Sequence, residues 1–209
     1  EAALRTGSGL VSMATRPAHV AGALARQPEV MVSGIVSGQE LEPLLDKPSV
    51  LIVGPGLGRS PWSEQLLQKA VATGLPMLVD ADALNIIAEG RVVSQPDGSN
   101  WVMTPHPAEA ARLLNISVDQ VQADRFAAVR QLQEKYNAVV LLKGAGTLIA
   151  APDDEIIAVC PYGNPGMATG GMGDVLSGII GALLAQGLEP KLAAQLGRCL
   201  HSAAADMAV

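Results

Sequence analysis

The chain is 209 residues long, 49% of its residues are hydrophobic, only 2% are aromatic, and its formal net charge is −6. This length suits one sizeable domain, and an acidic chain is a poor partner for nucleic acid or an anionic membrane, although backbone amides can still bind phosphate locally. Cys160 and Cys199 lie far apart without metal-ligand spacing, which predicts neither a disulfide framework nor a zinc site. No apolar run reaches membrane-spanning length. We therefore expect a cytoplasmic protein with no nucleic-acid or membrane partner.

The two ends of the chain have the pattern of interrupted helices. Residues 1–5 resemble the last turn of a helix that closes at the glycines of 6–9, and the helical pattern of 192–207 runs almost to the last residue. No repeat, low-complexity tract or linker divides the chain. We expect a single domain over residues 1–209 that is truncated at the N-terminus, with truncation at the C-terminus left open.

Short apolar runs alternate with helical patterns along most of the chain. The runs at 49–53, 76–79 and 138–142 are apolar at consecutive positions, as in strands that are covered on both faces. Alternation with helices predicts a three-layer α/β/α domain with a mainly parallel central sheet. Three strands follow one another closely between 138 and 160, which predicts an antiparallel edge. The predicted strands cover residues 10–14, 30–35, 49–53, 76–80, 100–104, 138–143, 147–151 and 156–160.

The glycine-rich segment 164–174 precedes a regular helical pattern. The apolar residues of 175–184 recur at helical spacing, so a helix should begin near Gly171 and end at Gly187, with Asp174 in its first turn. The first amides of a helix lack internal partners and can surround a phosphate or an oxyanion, and glycines allow a ligand to approach them. An aspartate there can accept a hydroxyl proton. The alternative is that the glycines form a turn and Asp174 only caps the helix.

Other glycine-rich and polar segments follow the predicted strands, at the edge where open α/β sheets bind ligands. The glycines of 54–58 could let a phosphate or ribose lie against the backbone, but they lack the dinucleotide-binding spacing, and a tight turn also explains them. Asp80 and Asp82 could orient a hydroxyl or hold Mg²⁺ through waters; alternatively, Asp82 caps a helix over 83–88. Lys143 and Thr147 could bind phosphate, or their loop is a hairpin turn with an exposed lysine.

His106 lies between two prolines, which restrict its backbone. A firmly held imidazole in a cleft suits hydrogen bonding or proton transfer. Glu109, three residues later, either caps the next helix or faces the same cleft. His19 and His201 lie in predicted helices without an accompanying motif, and we interpret both as structural.

At these positions the sequence resembles the carbohydrate-kinase-like domain of the NAD(P)H-hydrate dehydratases, within the ribokinase-like superfamily. The similar stretches are GPGLG at 54–58, LVDADALN at 78–85, TPHPAEAARLL at 104–114, LLKGAGTLIA at 141–150 and NPGMATGGMGDVLSGIIGALLAQG at 164–187. The resemblance implies dehydration of the S epimer of hydrated NADH or NADPH, with ADP or ATP as co-substrate and Mg²⁺ bridging phosphates. The ring hydroxyl would be phosphorylated, and the phosphate would then be eliminated.

The resemblance also implies a role for individual residues. Asp174 would be the catalytic base. Together with Gly56 and His106, it would also contact the hydrated coenzyme. The amides of Gly171, Met172 and Gly173 would form an anion hole. The nucleotide would be bound by Gly173 and by the loop Lys143, Gly144, Ala145, Gly146 and Thr147. No metal ligand is assigned.

The resemblance and the helix composition also suggest partners. Bacterial relatives often carry an NAD(P)H-hydrate epimerase domain before this one. Helices rich in small residues, such as 193–208, can pack against another subunit, so we expect a homo-oligomer. Two other functions fit the same site: a small-molecule kinase for a vitamin precursor or sugar alcohol, and a nucleotide-binding subunit without catalytic activity.

Overall fold

The computed structural model describes residues 1–93, 97–152 and 154–209. Each of the eight predicted strands overlaps a strand of the structure. In chain order the strands are β1 Ser12–Thr15, β2 Met31–Gly34, β3 Leu51–Val53, β4 Met77–Val79, β5 Trp101–Met103, β6 Val139–Leu142, β7 Thr147–Ala150 and β8 Ala158–Cys160.

Helices occupy most of the intervals between the strands. They are α1 Ala2–Arg5, α2 Val20–Arg26, α3 Gly38–Leu41, α4 Pro61–Ala72, α5 Ala81–Glu89, α6 Pro107–Leu114, α7 Val118–Ala123, α8 Arg125–Tyr136, α9 Met172–Ala185 and α10 Pro190–Met207. Among the residues described, none of the helices combines the length and apolar character needed to cross a bilayer.

The main sheet has the strand order β3-β4-β5-β6-β7-β8. Strands β3 to β6 are parallel, whereas β7 and β8 pair antiparallel at one edge, as the close spacing of the last three strands predicted. Strands β1 and β2 form a separate parallel pair, which the sequence pattern did not predict. The carboxyl ends of β3 to β6 therefore meet at one edge of the sheet and bring the loops that follow them together.

Apolar side chains cover both faces of the main sheet. In β6, Val140 and Leu142 pack in a core with helices α4, α5, α6 and α8, whereas Val139 and Leu141 pack in a second core with α9 and α10. Successive strand residues point to opposite faces, so a strand between two cores must be apolar throughout. This confirms the predicted three-layer α/β/α architecture.

Two predicted helix starts had different outcomes. Helix α9 begins at Met172 after Gly171, and Gly187 follows its end with φ +86°, as expected. The predicted cap at Asp82 was wrong, because α5 begins at Ala81 and Asp80 occupies the N-cap position. Asp82 lies in the first turn instead and accepts a hydrogen bond from the Gly58 amide at 2.8 Å.

Candidate active site

A buried carboxylate joins three elements at the carboxyl edge of the sheet. Asp80 follows β4 and is only 1% exposed. Lys143, which follows β6, donates from Nζ to Asp80 Oδ1 at 2.8 Å, and Ser177 of α9 donates from Oγ to Oδ2 at 2.7 Å. Sequence reasoning missed Ser177, although a hydroxyl within the apolar pattern of 175–184 indicated a buried polar contact.

The charge of Lys143 keeps this buried acid ionised. Burial by itself would raise the pKa of the Asp80 carboxyl group, but the Lys143 charge and the hydrogen bonds from Lys143 and Ser177 outweigh burial and lower that pKa. The Lys143 side chain is 21% exposed and already paired, so it is not the exposed lysine of a simple hairpin turn.

The first turn of α9 lies directly beside the Asp80–Lys143 ion pair. A Cβ atom added to Gly173 would lie 3.5 Å from Lys143 Nζ and 3.6 Å from Asp80 Oδ2. Of the amides expected to form an anion hole, that of Met172 donates to the Thr169 carbonyl at 3.3 Å. Within the described part of the chain, the Gly173 amide has no such acceptor. Gly171 precedes the helix with φ +88°, a conformation that glycine adopts without strain.

Asp174 projects from this turn as an exposed side chain. Partial desolvation and the negative charge of Asp80 raise its pKa, and the Lys143 charge offsets only part of that rise. No hydrogen bond from a described side chain reaches its carboxylate. A carboxylate with a raised pKa and no hydrogen-bond donor among the described side chains is suited to accept a proton from a ligand.

His106 and Glu109 form a reciprocal cap at the start of α6. His106 Nδ1 accepts hydrogen bonds from the Ala108 and Glu109 amides at 3.0 and 3.2 Å, and the Glu109 carboxylate accepts from the His106 amide at 2.8 Å. Because Nδ1 is the acceptor, Nε2 carries the proton of the neutral ring. Glu109 is buried, and its Oε2 lies 3.8 Å from Lys143 Nζ, so it both caps the helix and faces the polar cluster.

The loop 143–147 is held by a hydrogen bond within the loop and by a side chain of helix α8. Inside the loop, the buried hydroxyl of Thr147 donates to the Gly144 carbonyl at 3.0 Å. Below it, the Arg125 guanidinium donates to carbonyls on both sides of Gly144. Sequence reasoning missed Arg125 because it lies at the start of α8 and belongs to no recognised motif.

The three glycines of 54–58 have different local roles. A Cβ atom at Gly54 would lie 1.7 Å from the Asp80 carbonyl oxygen, so only glycine lets this loop pack against the end of β4. Gly58 donates its amide to Asp82. Gly56, the residue predicted to contact the coenzyme, has φ +63° and open space around its Cβ position. The loop is thus tied to Asp80 and Asp82 at its two ends and open in the middle.

The structure therefore brings together the residues expected at the nucleotide and phosphoryl sites. Lys143, Gly173 and Asp174 surround Asp80, and His106 reaches this cluster through Glu109. Among the described residues, no three His, Cys, Asp or Glu side chains converge as a protein-bound metal would require.

This site lies at the carboxyl edge of a parallel sheet with an antiparallel border, beside a glycine-rich helix start that carries an aspartate, and these features define a ribokinase-like α/β domain. A ribokinase-like superfamily protein from Enterococcus faecalis superposes with a TM-score of 0.83 and 31% identity, over 96% of this chain and 70% of that chain.

The family model described as NAD(P)H-hydrate dehydratase matches residues 1–209, and the chain belongs to that family. The bifunctional NAD(P)H-hydrate repair enzyme of Coxiella burnetii is 52% identical over 208 residues, which are 100% of this chain and 42% of that relative. The ADP/ATP-dependent NAD(P)H-hydrate dehydratase of Bacillus subtilis, co-crystallised with ATP and Mg²⁺, has a TM-score of 0.83 and 27% identity, over 99% of this chain and 74% of that chain. The chain thus spans less than half the length of the Coxiella relative.

Proposed function

We propose that this protein uses ADP or ATP to dehydrate the S epimer of hydrated NADH or NADPH and so restores the reduced coenzyme. The observation that carries this proposal is the position of Asp174, an exposed carboxylate that no described side chain contacts by a hydrogen bond, on a glycine-rich helix start beside a lysine-containing loop. Membership of the dehydratase family supports hydrated NADH or NADPH as the substrate, rather than the vitamin precursor or sugar alcohol of a kinase.

The first chemical step is phosphoryl transfer to the hydroxyl of the hydrated ring. Asp174 accepts the proton of the hydroxyl group, and the hydroxyl oxygen attacks the terminal phosphorus of the nucleotide. The bond from that phosphorus to the bridging oxygen of the nucleotide then breaks. The Gly173 amide, with that of Gly171, stabilises charge on the transferred group, whereas the Met172 amide already donates to the Thr169 carbonyl. Phosphate then leaves with the carbon–oxygen bond electrons, and loss of a proton from the neighbouring ring carbon restores the double bond.

The two ligands are expected on opposite sides of Asp174. We assign the nucleotide phosphates to the loop Lys143–Thr147 and to Gly173, and the hydrated ring to Gly56 and His106. The open space at Gly56 and the side chain of His106, which is 47% exposed, support contact with a coenzyme.

Mg²⁺ fits this site as an ion carried by the nucleotide. Asp80 and Asp82 are both committed to protein partners, so the phosphates and waters would supply most of its ligands. Bound there, the ion would neutralise phosphate charge during transfer.

We also propose a cytoplasmic homo-oligomer that acts together with an NAD(P)H-hydrate epimerase. The sequence contains only two cysteines, Cys160 and Cys199, and this low cysteine usage suits a reducing compartment. Leu192, Leu196 and Leu200 are exposed at four-residue spacing on α10, a pattern that suits contact with another subunit.

A direct assay tests the proposed reaction. Hydrated NADH is incubated with the protein and ATP, ADP or neither nucleotide, and both NADH absorbance and phosphate release are followed. We expect restored absorbance with equal release of phosphate in the presence of nucleotide only. A stable phosphorylated alcohol would identify a kinase instead. If hydrated NADH is not consumed with either nucleotide, the proposal is contradicted.

A further inference from the structure

Arg125 makes an unusual set of contacts beneath the loop 143–147. One guanidinium nitrogen, Nη1, donates to the Ala145 carbonyl at 2.6 Å and to the Gly146 carbonyl at 3.1 Å. The other, Nη2, donates to the carbonyls of Leu142 and Lys143 at 3.3 and 3.4 Å. A single side chain from the start of α8 therefore holds the loop on both sides of its tip.

The residue types of the loop suit its contact with this guanidinium. Gly144 has φ +149°, and a Cβ atom there would lie 2.8 Å from Arg125 Nη2. Because the remaining carbonyl, that of Gly144, accepts from the Thr147 hydroxyl, each carbonyl from Lys143 to Gly146 has a donor. The glycine thus leaves room for the guanidinium, and the threonine donates to the one carbonyl that Arg125 does not contact.

Holding the carbonyls also fixes the direction of the amides. The described part of the chain contains no cis peptide bond, and in a trans peptide the N–H points away from the C=O of the same group. The amides of Gly144 and Gly146, which share peptide groups with the Lys143 and Ala145 carbonyls, must therefore point away from Arg125. Backbone amides of one loop that face the same side, as those of Gly144 and Gly146 do, can form a concavity suited to phosphate oxygens.

We propose that Arg125 is a positioning residue for nucleotide binding: it collects the carbonyls of the loop 143–147 on one side, so that the loop amides face the nucleotide phosphates. This inference rests on the proposed function, which places the nucleotide at the loop. Arg125 does not contact the nucleotide and acts only through the loop backbone.

The planar fork of arginine is essential to this role. Arginine has five N–H donors in a fixed plane, whereas lysine carries the same charge on one compact ammonium group. Arg125→Lys keeps the charge but cannot reach carbonyls on both sides of the loop. Arg130 on the same helix offers a matched control, because it holds the carbonyls of Asp154 and Glu155, outside the loop, in a similar way.

The experiment compares Arg125→Lys, Arg130→Lys and the unchanged protein. ADP affinity is measured by calorimetry, and KM is measured separately for nucleotide and for hydrated NADH. For Arg125→Lys we expect the ADP dissociation constant and the nucleotide KM to rise about tenfold or more, as loss of a charge-assisted hydrogen bond predicts, while the KM for hydrate stays within about twofold. Arg130→Lys should change neither constant by more than about twofold.

A second variant guards against a folding defect in Arg125→Lys. Gly144→Ala keeps the arginine but puts a methyl carbon 2.8 Å from Nη2, so the guanidinium must shift away from the loop carbonyls, and the nucleotide KM should rise in the same selective way. The inference is overturned if both variants fold and bind ADP as the unchanged protein does, or if Arg125→Lys raises both KM values equally. If ADP affinity falls as expected but hydrate is not turned over by the unchanged protein, the proposed reaction is wrong and the role of Arg125 stands.

Discussion

The end of β4 and the first turn of α9 each place one aspartate at the same edge of the sheet, in opposite surroundings. Asp80 is buried, and both of its carboxylate oxygens accept hydrogen bonds, so its pKa is lowered. Asp174 is exposed, no hydrogen bond from a described side chain reaches it, and its pKa is raised.

The contrast shows that the buried acid affects the pKa of the exposed one. Partial desolvation raises the pKa of Asp174, and the negative charge of Asp80, which also fixes Lys143 beside the helix start, raises it further. A carboxylate whose pKa moves toward neutral pH is a stronger base, so the buried acid increases the basicity of the exposed one. Under the proposed function, Asp80 would assemble the site and Asp174 would accept the proton.

Removing the exposed acid should break catalysis and spare the fold. We expect Asp174→Asn to lower kcat by about 10³-fold, within the range for a lost general base, because the amide cannot accept the hydroxyl proton. Phosphate release from hydrated NADH and ATP measures this loss. Asp119→Asn is the matched control, because Asp119 is also an exposed acid in the first turn of a helix, α7. Wild-type turnover by Asp174→Asn would show that Asp174 is not the base.

Removing the buried acid should destabilise the fold as well as disrupt the site. We expect Asp80→Asn to lower the free energy of unfolding by about 3 kcal/mol, near the lower limit for a broken buried pair because Lys143 keeps some exposure. Urea unfolding measures the change. As a control, Glu42→Gln removes the partner of Lys69 in an exposed pair and should cost less than about 1 kcal/mol. Equal losses for the two variants would contradict the distinct structural role of Asp80.

Local pattern was enough to predict the elements that carry these acids. The apolar runs of β4 and β6 predicted strands because both faces of the sheet are covered, and helical spacing after Gly171 predicted α9 with Asp174 in its first turn. These features depend on residues close together in the chain. The resemblance to the dehydratase family then indicated the same strand-end loops that the structure gathers at one edge.

The contacts between distant segments could not be predicted in the same way. Lys143 and Asp80 are 63 positions apart, and Ser177 and Asp80 are 97 apart, so no periodicity links them. Aspartate's general preference for helix caps led to the wrong assignment of Asp82, because its actual partner, Gly58, lies in another loop. Arg125 was missed for the same reason, since its role depends on carbonyls 17 to 21 positions away.

The difference in pKa should separate loss of activity from loss of the ion pair as pH falls. The raised pKa of Asp174 puts its protonation above 3.8, the ordinary aspartate value, so kcat/KM should fall with decreasing pH in a window above 3.8. The lowered pKa of Asp80 has the opposite consequence: its stabilising contribution is fully present above the unfolded-state value near 3.8 and is lost only as pH falls through the lower folded-state value.

Initial rates of phosphate release and urea midpoints, measured between about pH 3 and pH 8, test this order of events. The difference in stability between the unchanged protein and Asp80→Asn isolates the contribution of Asp80 from that of the other carboxylates. This difference should stay constant while activity declines and should shrink only below 3.8. If instead it shrinks at a higher pH than the loss of activity, Lys143 does not hold Asp80 in its ionised form, and the contrast between the two acids fails.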